Sequence, residues 1–325
     1  MTDLKVFRSL EEARAEFGPS ALTIGNFDGV HCGHQAIFRE VVQLAGQYGW
    51  KPSVLTFDPH PAKVVAPANA PPLLSTLEQR CRWIAEAGIR QIMILPFRKE
   101  TAALTPEEFV RQVLVEGLQA RAVLVGDNFR FGRNQSGTPQ VLAELGEQFG
   151  FLARALHAVR CRGEVVSSTT IRKLVRAGRM TQAARMLGRF FCLEGKIVSG
   201  QGIGKRLTVP TLNLETQTEV IPLEGVYVSR IYDLDTNRQW PSVTNIGHRP
   251  TFDGASISIE THLLETLHGA TPHRIRVEFT HRLREERRYA DAEALKSQIL
   301  RDAARARTWH RRFELWRRAQ LAQRL

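Results

Sequence analysis

The sequence predicts an α/β region followed by an all-β region that ends in a helix. Three patterns carry this. From residue 20 to about 157, short apolar runs alternate with helix-like stretches, which implies βαβ units and a parallel, doubly wound sheet. After about residue 190, β-like segments are separated by Gly, Pro and Asp/Asn turns, as in a small antiparallel β-barrel. From 295 to 316 apolar residues recur at three-to-four spacing, the mark of an amphipathic helix. A length of 325 residues suits two domains. The boundary is expected near 184–190, giving domains 1–186 and 187–325.

In order, the expected strands of the first region are Ala21–Ile24, Ser53–Phe57, Gln91–Leu95 and Ala122–Val125. The expected helices cover about 34–47, 76–87, 106–116 and 138–149. Ser75-Thr76 followed by Glu78, and Thr105-Pro106-Glu107-Glu108, are helix-start signals. "VVAPANAPPLL" (64–74) reads as a mobile loop. A helical pair should run from Ser168 to Leu187. The second region offers β-like segments near 190–199, 224–232, 239–246, 256–264 and 274–280. In the terminal helix Leu295, Ile299, Ala306, Trp309, Phe313 and Trp316 form the apolar face.

Composition narrows the function class. Hydrophobic residues make up 43% of the chain, ordinary for a protein with real cores. No apolar run approaches the roughly 18–20 residues of a membrane span, and "MTDLKVFRSLEEARAEF" lacks a signal peptide's apolar centre. A cytoplasmic protein with no membrane partner is expected. Cys32, Cys81, Cys161 and Cys192 are scattered, against a disulfide framework or zinc site. The net charge is +12, but residues 281–325 hold 13 Lys/Arg against 6 Asp/Glu. The excess therefore sits mostly on the terminal helix, as a solvated basic face, and nucleic acid is not an expected partner.

"TIGNFDGVHCGHQAIF" (23–38) concentrates chemistry at a strand-to-helix junction. In a parallel α/β sheet, ligands bind at the carboxyl ends of strands. A helix N-terminus offers free N–H groups and a partial positive charge to phosphate. Gly29 and Gly33 allow close backbone approach, and His31 and His34 can donate to phosphate oxygens as charge develops on phosphorus. Two other readings remain open on spacing alone: Asp28, His31 and His34 as metal ligands, with Asp58 and His60 of a separate, proline-flanked loop as the only obvious further ligands, or a polar turn without chemistry.

"GNFDGVHCGH" (25–34) closely resembles the HxGH-containing motif of the bacterial bifunctional riboflavin kinase/FAD synthetase family. "LTFDPHP" (55–61), "GDNFRFG" (126–132) and "SSTTIRKLV" (167–175) resemble its later adenylyltransferase motifs, in the same order. "VPTLN" (209–213), "GVYV" (225–228), and "NIGHRPTF" (245–252) with "IETHLLE" (259–265) resemble its kinase motifs. The resemblance spans about residues 20–302. It implies a Rossmann-like nucleotidyltransferase domain and a β-barrel kinase domain. The expected substrates are riboflavin, FMN and ATP, with Mg2+ as cofactor. The oligomeric state is left open.

For the first domain the resemblance implies transfer from ATP to FMN, giving FAD and pyrophosphate. The FMN phosphate is itself the nucleophile, so the protein's task is positioning and charge neutralisation. Asn26, His31, Gly33 and His34 would hold the ATP phosphates, with His31 and His34 catalytic. Gly25, Phe27 and Asn128 would line the nucleotide site. Ser167, Ser168, Thr169 and a catalytic Arg172 would come from the loop opening the next helix. On the residues alone, Ser167–Thr169 also read as an N-cap.

For the second domain it implies phosphorylation of riboflavin, with Glu260 as base. Thr211 and Asn213 would be the Mg-ATP pair, offering oxygen donors that suit a hard cation. Alternation puts Ser258, Glu260 and His262 on one strand face, which on the residues alone could simply be solvated. Gly200, Gly202 and Gly204 belong to a glycine-rich loop, "GQGIGKRLTVPTLN" (200–213). It is neither a Walker loop nor GxGxxG. Leu212 stands where the family usually has Ala, Thr208 where it has Gly, and Ile203 where it has Arg. If 211–213 is extended, Leu212 should point away from Thr211 and Asn213.

A rival function is an RNA-binding or RNA-modifying protein on the same nucleotidyltransferase fold. The chain has no KMSKS-like segment and no aromatic-rich RNA platform. A third is a chain with one working domain and one vestigial one.

Overall fold

The computed structural model of the chain describes residues 4–198, 211–251, 254–267, 269–287 and 289–322. It divides into two compact units, Met1–Thr170 and Ile171–Leu325. Among the described residues no helix is long and apolar enough to cross a membrane.

The first unit runs β1 (Lys5–Phe7), α1 (Leu10–Glu16), β2 (Ser20–Ile24), α2 (Cys32–Tyr48), β3 (Lys51–Asp58), α3 (Pro61–Val65), α4 (Leu77–Glu86), β4 (Gln91–Pro96), α5 (Lys99–Ala103), α6 (Pro106–Phe109), β5 (Ala120–Gly126), α7 (Pro139–Phe149), β6 (Leu152–Leu156), then the short hairpin β7 (Arg160–Cys161) and β8 (Glu164–Val165). Helix α8 (Ser168–Arg176) crosses into the second unit. The main sheet has the order β1-β4-β3-β2-β5-β6, and all its pairings are parallel.

The expected α/β elements are present within a few residues, and the differences have local causes. The first helix begins at Cys32 because the His31 side chain caps it, accepting from His34 N–H. The start of α4 is a capping box, but Thr76 is paired with Gln79 rather than Glu78. The stretch expected as one helix over 106–116 turns from α6 into a π-helix over Val110–Gly117. Residues 64–74, read as a loop, contain the end of α3 and a 3-10 turn at Pro67–Asn69. Strand β1, helix α1 and strand β6 were not expected; β1 and β6 are the sheet's edges. Phe7, Leu22, Leu55, Met93 and Val123 pack in one core with Phe109, Val113 and Leu145 from the helices.

The second unit continues with α9 (Met180–Leu187), β9 (Phe191–Val198), β10 (Thr211–Thr216), β11 (Gly225–Asp233), β12 (Gln239–Thr251), β13 (Gly254–Leu263), β14 (Arg274–Arg284) and α10 (Ala292–Ala322). The six strands close into an antiparallel barrel, β10-β13-β12-β11-β14-β9. Five were expected; β10 was not. Its interior residues Leu212 and Leu214 are buried, while Thr211 and Asn213 face the other way. Leu212 therefore points away from Thr211 and Asn213, as expected. Val226, Val228 and Val243 on the barrel's outer face meet Ala303 and Ala306 of α10. Trp316, expected in that apolar face, is 58% exposed and meets the Phe313 ring at a tilt, centroids 5.8 Å apart.

Candidate active sites

In the first unit the strand order reverses at β2. Strands β3, β4 and β1 lie to one side and β5 and β6 to the other. The crevice at such a reversal is where open parallel sheets bind ligands. A cavity of about 1230 Å³ lies there, lined by Gly25 and Asn26 after β2, Phe57 at the end of β3, Phe97 after β4, and Asn128 and Arg130 after β5.

The turn from β2 to α2 is bent into sparsely populated backbone. Phe27, Gly29 and Val30 have φ of 49°, 77° and 37°. Glycine tolerates this; phenylalanine and, above all, β-branched valine do not, so the surroundings must enforce it. Asp28 is one such restraint. Its carboxylate accepts from Leu74 N, Ser75 N and Ser75 Oγ at 3.0–3.1 Å. That occupation speaks against Asp28 as a metal ligand. Among the described residues no cluster of three or more His, Cys, Asp or Glu side chains could hold a metal ion.

His31 is 6% exposed. Its Nδ1 accepts from His34 N at 3.3 Å. A nitrogen that accepts carries no proton, so the neutral ring holds its proton on Nε2, a donor. The two imidazoles stack with centroids 3.6 Å apart, and Phe27 meets the His34 ring edge-on at 5.1 Å. A Cβ on Gly33 would lie 3.1 Å from the His31 ring, so a side chain at 33 would push that ring aside. Ser168 Oγ donates to Asp28 O at 2.9 Å, joining the start of α8 to this turn. Ser167 does cap α8, accepting from Thr170 N at 3.2 Å. Thr169 is exposed, and Arg172, one turn on from Ser168, is counted in the second unit.

Sequence reasoning missed Arg80. It is 1% exposed, and its Nη1 donates to Asn26 O at 2.8 Å and to Thr56 Oγ1 at 3.2 Å. Burial lowers its pKa, against the opposing charge of Asp28. The available signal was its place on the apolar face of α4, three and four residues before Trp83 and Ile84.

In the second unit the register of the barrel assembles the other set. Asn213 on β10 is paired with Glu260 on β13, which is paired in turn with Asn245 on β12. One step along, Thr211 is paired with His262, and Thr211 Oγ1 lies 2.9 Å from His262 Nδ1. Burial lowers the His262 pKa, with the Glu260 charge acting the other way. Ser258 Oγ donates to Glu260 Oε1 at 3.2 Å. This face is not simply solvated. Asn245, Glu260 and His262 line a cavity of about 250 Å³ whose other wall is Leu295, Ile299 and Leu300 of α10. An ion pair of Arg284 with Asp302 at 2.8 Å fastens that helix to β14. Oxygen-bearing Thr211 and Asn213 beside a carboxylate form a donor set that fits a hard divalent cation. Gly200, Gly202 and Gly204, with Ile203 and Thr208, lie outside the described residues.

The chain matches two family models in succession, FAD synthetase over residues 13–170 and riboflavin kinase over 187–310. It is 37% identical over 305 residues to a bifunctional riboflavin kinase/FMN adenylyltransferase of Pseudomonas fluorescens, covering 94% of this chain and 97% of that protein. It is 34% identical over 287 residues to the Escherichia coli (strain K12) protein of the same description, covering 88% and 91%. A solved structure from Streptococcus pneumoniae, described as a macrolide-efflux protein, superposes with a TM-score of 0.82 over 94% of this chain and 99% of that one. At 22% identity that is a likeness of fold.

Proposed function

The chain belongs to the bifunctional riboflavin kinase/FMN adenylyltransferase family, and from that premise we propose how its residues divide the work. The protein phosphorylates riboflavin to FMN and adenylylates FMN to FAD. Both activities need a divalent metal; Mg2+ is our assignment. We assign the kinase to residues 187–325 and the adenylyltransferase to 1–186. One observation carries this division: two separate cavities, each lined by its own motif residues.

In the barrel, Glu260 takes the proton of riboflavin's primary hydroxyl as that oxygen attacks the γ-phosphorus of ATP and ADP leaves. Thr211 and Asn213 would hold the cation, which when bound neutralises phosphate charge. The register pairing of Asn213 with Glu260 supports base and phosphate ligands side by side. The apolar wall from α10 suits the flavin rings and keeps water from the reacting hydroxyl. Gly200, Gly202 and Gly204 complete the assignment as nucleotide-loop residues.

In the α/β unit an FMN phosphate oxygen attacks the α-phosphorus of ATP and pyrophosphate leaves. His31 through Nε2–H, His34 and the first amides of α2 stabilise the charge on the phosphorus oxygens. Gly25, Asn26 and Asn128 line the nucleotide cavity, and Phe27 and Gly33 act from the adjoining turn and helix start. Ser167, Ser168, Thr169 and Arg172 act on the phosphates from α8. The reaction belongs to the cytoplasm, where ATP is available, and involves small molecules rather than nucleic acid. Incubating the protein with riboflavin, ATP and magnesium and separating FMN from FAD tests the reading. Loss of both products on adding FMN or riboflavin would overturn it.

A further inference from the structure

Arg80 has no place in the reaction just described, yet it is among the largest fully buried side chains of the described residues. A buried guanidinium is a poor way to stabilise a helix face. Here its Nε finds no hydrogen-bond partner among the described residues. The contacts run instead through Nη1. Nη1 donates to Asn26 O, Thr56 Oγ1 and Phe57 O at 2.8, 3.2 and 3.5 Å, and Thr56 Oγ1 itself reaches Asn26 O at 3.4 Å. The carbonyl of Asn26 is thus the focus of the contact.

That carbonyl begins the bent turn. After it come Phe27, Gly29 and Val30, all at positive φ, and then His31, whose ring caps α2 and stacks on His34. The segment leading into the helix that carries Arg80 grips the turn a second time, one residue before its N-cap Thr76. Ser75 Oγ accepts from Gly29 N at 3.1 Å and donates to Asp28 Oδ1 at 3.1 Å. Two anchors, Arg80 on α4 and Ser75 just before its N-cap, therefore hold the turn on both sides of Phe27. Strained backbone of this kind survives only where its neighbours over-determine it, and catalytic donors must be held to within a fraction of an ångström.

We propose that Arg80 is a positioning residue for adenylyl transfer: through the Asn26 carbonyl it fixes the turn that aims His31 and His34. The inference rests on the function proposed above. Among the described residues its donations come from Nη1, so a lysine ammonium can replace them, whereas methionine, which has no donor, cannot.

The test is Arg80→Met and Arg80→Lys in the full chain, assayed for FMN-to-FAD and riboflavin-to-FMN conversion, with hydrogen exchange of residues 26–31. Arg80→Met should lower kcat for FAD formation at least about tenfold, the scale on which misplacement acts, with KM for ATP changed less than about threefold. It should also speed exchange at 26–31 and leave the kinase rate unchanged. Arg80→Lys should restore kcat to within about threefold of wild type. The proposal is overturned if Arg80→Met keeps wild-type kcat, if Arg80→Lys is as slow as Arg80→Met, or if both activities fall together. Should Arg80→Met not fold, Ser75→Ala releases the other anchor. Faster exchange at Gly29 with slower FAD formation supports the clamp, and unchanged exchange and rate overturn it. A wild-type chain that makes no FAD would instead refute the assigned function, and the exchange data would still decide whether Arg80 holds the turn.

Discussion

Asn213 and Glu260 are direct register partners across β10 and β13, so an amide and a carboxylate stand side by side on one barrel face. Neighbouring residues on opposite strands bring their Cβ atoms to within about 5 Å. With the roles proposed for Glu260 and Asn213, base and phosphate ligand would serve one substrate without any movement of the barrel.

Glu260→Gln keeps the size and the hydrogen bonding to Ser258 but cannot take a proton. It should lower riboflavin phosphorylation by about 10²-fold or more, the usual range for a general base. Turnover should fall more than riboflavin binding weakens. Supplied FMN should still become FAD at the wild-type rate. A variant within about threefold of wild type, worth under 1 kcal/mol, would return Glu260 to a structural role.

Thr211→Ala and Asn213→Ala should fail differently, because they remove ligands rather than a base. Their KM for Mg-ATP should rise, and raising magnesium or ATP should recover part of the rate. His262→Phe should reproduce part of the Thr211 defect, since it removes the partner 2.9 Å from that hydroxyl. Calorimetric titration with Mg-ATP gives an independent reading of the same loss. Equal affinity in all three variants would separate this trio from the nucleotide.

Much of this was legible in the sequence because it is written in local pattern. The strands flanking His31 announce themselves as apolar runs, and Thr105-Pro106 announces a capped helix that is present. Strand β10 was missed because "TLNLET" is short, mostly polar and preceded by a glycine-rich stretch, so its alternation offers only two apolar residues, Leu212 and Leu214. Arg80 was missed for the opposite reason. Charge is normally solvated, and only tertiary contacts from residues 26, 56 and 57 make it internal. The cavity wall from Leu295 and Ile299 was equally hidden. Periodicity marks those residues as buried but does not say that they face Glu260.

His31 caps α2, and the role proposed for it in adenylyl transfer is a second task that substitutions can part from the first. His31→Ala removes both the cap, worth about 1 kcal/mol, and the Nε2 donor. His31→Ser keeps an oxygen able to cap but is too short to reach a phosphate. Thermal melting should therefore be nearer wild type in His31→Ser than in His31→Ala. FAD formation should be slowed in both, and in His34→Ala, by about 10²–10³, the scale of one preorganised donor. Recovery of FAD synthesis in His31→Ser would leave His31 as a cap alone.

The division of labour between the domains can be cut at two places. Helix α9 buries Met180, Ala183, Met186 and Leu187, and the second compact unit begins before it, at Ile171. A fragment of 187–325 lacks that helix and would expose the surface of β9 and β14 against which it packs. Losing one buried Leu or Met side chain costs about 2–5 kcal/mol, and each kcal/mol moves the midpoint by roughly 2–4 °C in a domain of this size. The 171–325 fragment should accordingly melt at least about 5 °C above the 187–325 fragment. Both should make FMN and neither should make FAD. Equal melting points would assign α9 to the adenylyltransferase half, and a folded 171–325 fragment without kinase activity would refute the independence of the two sites.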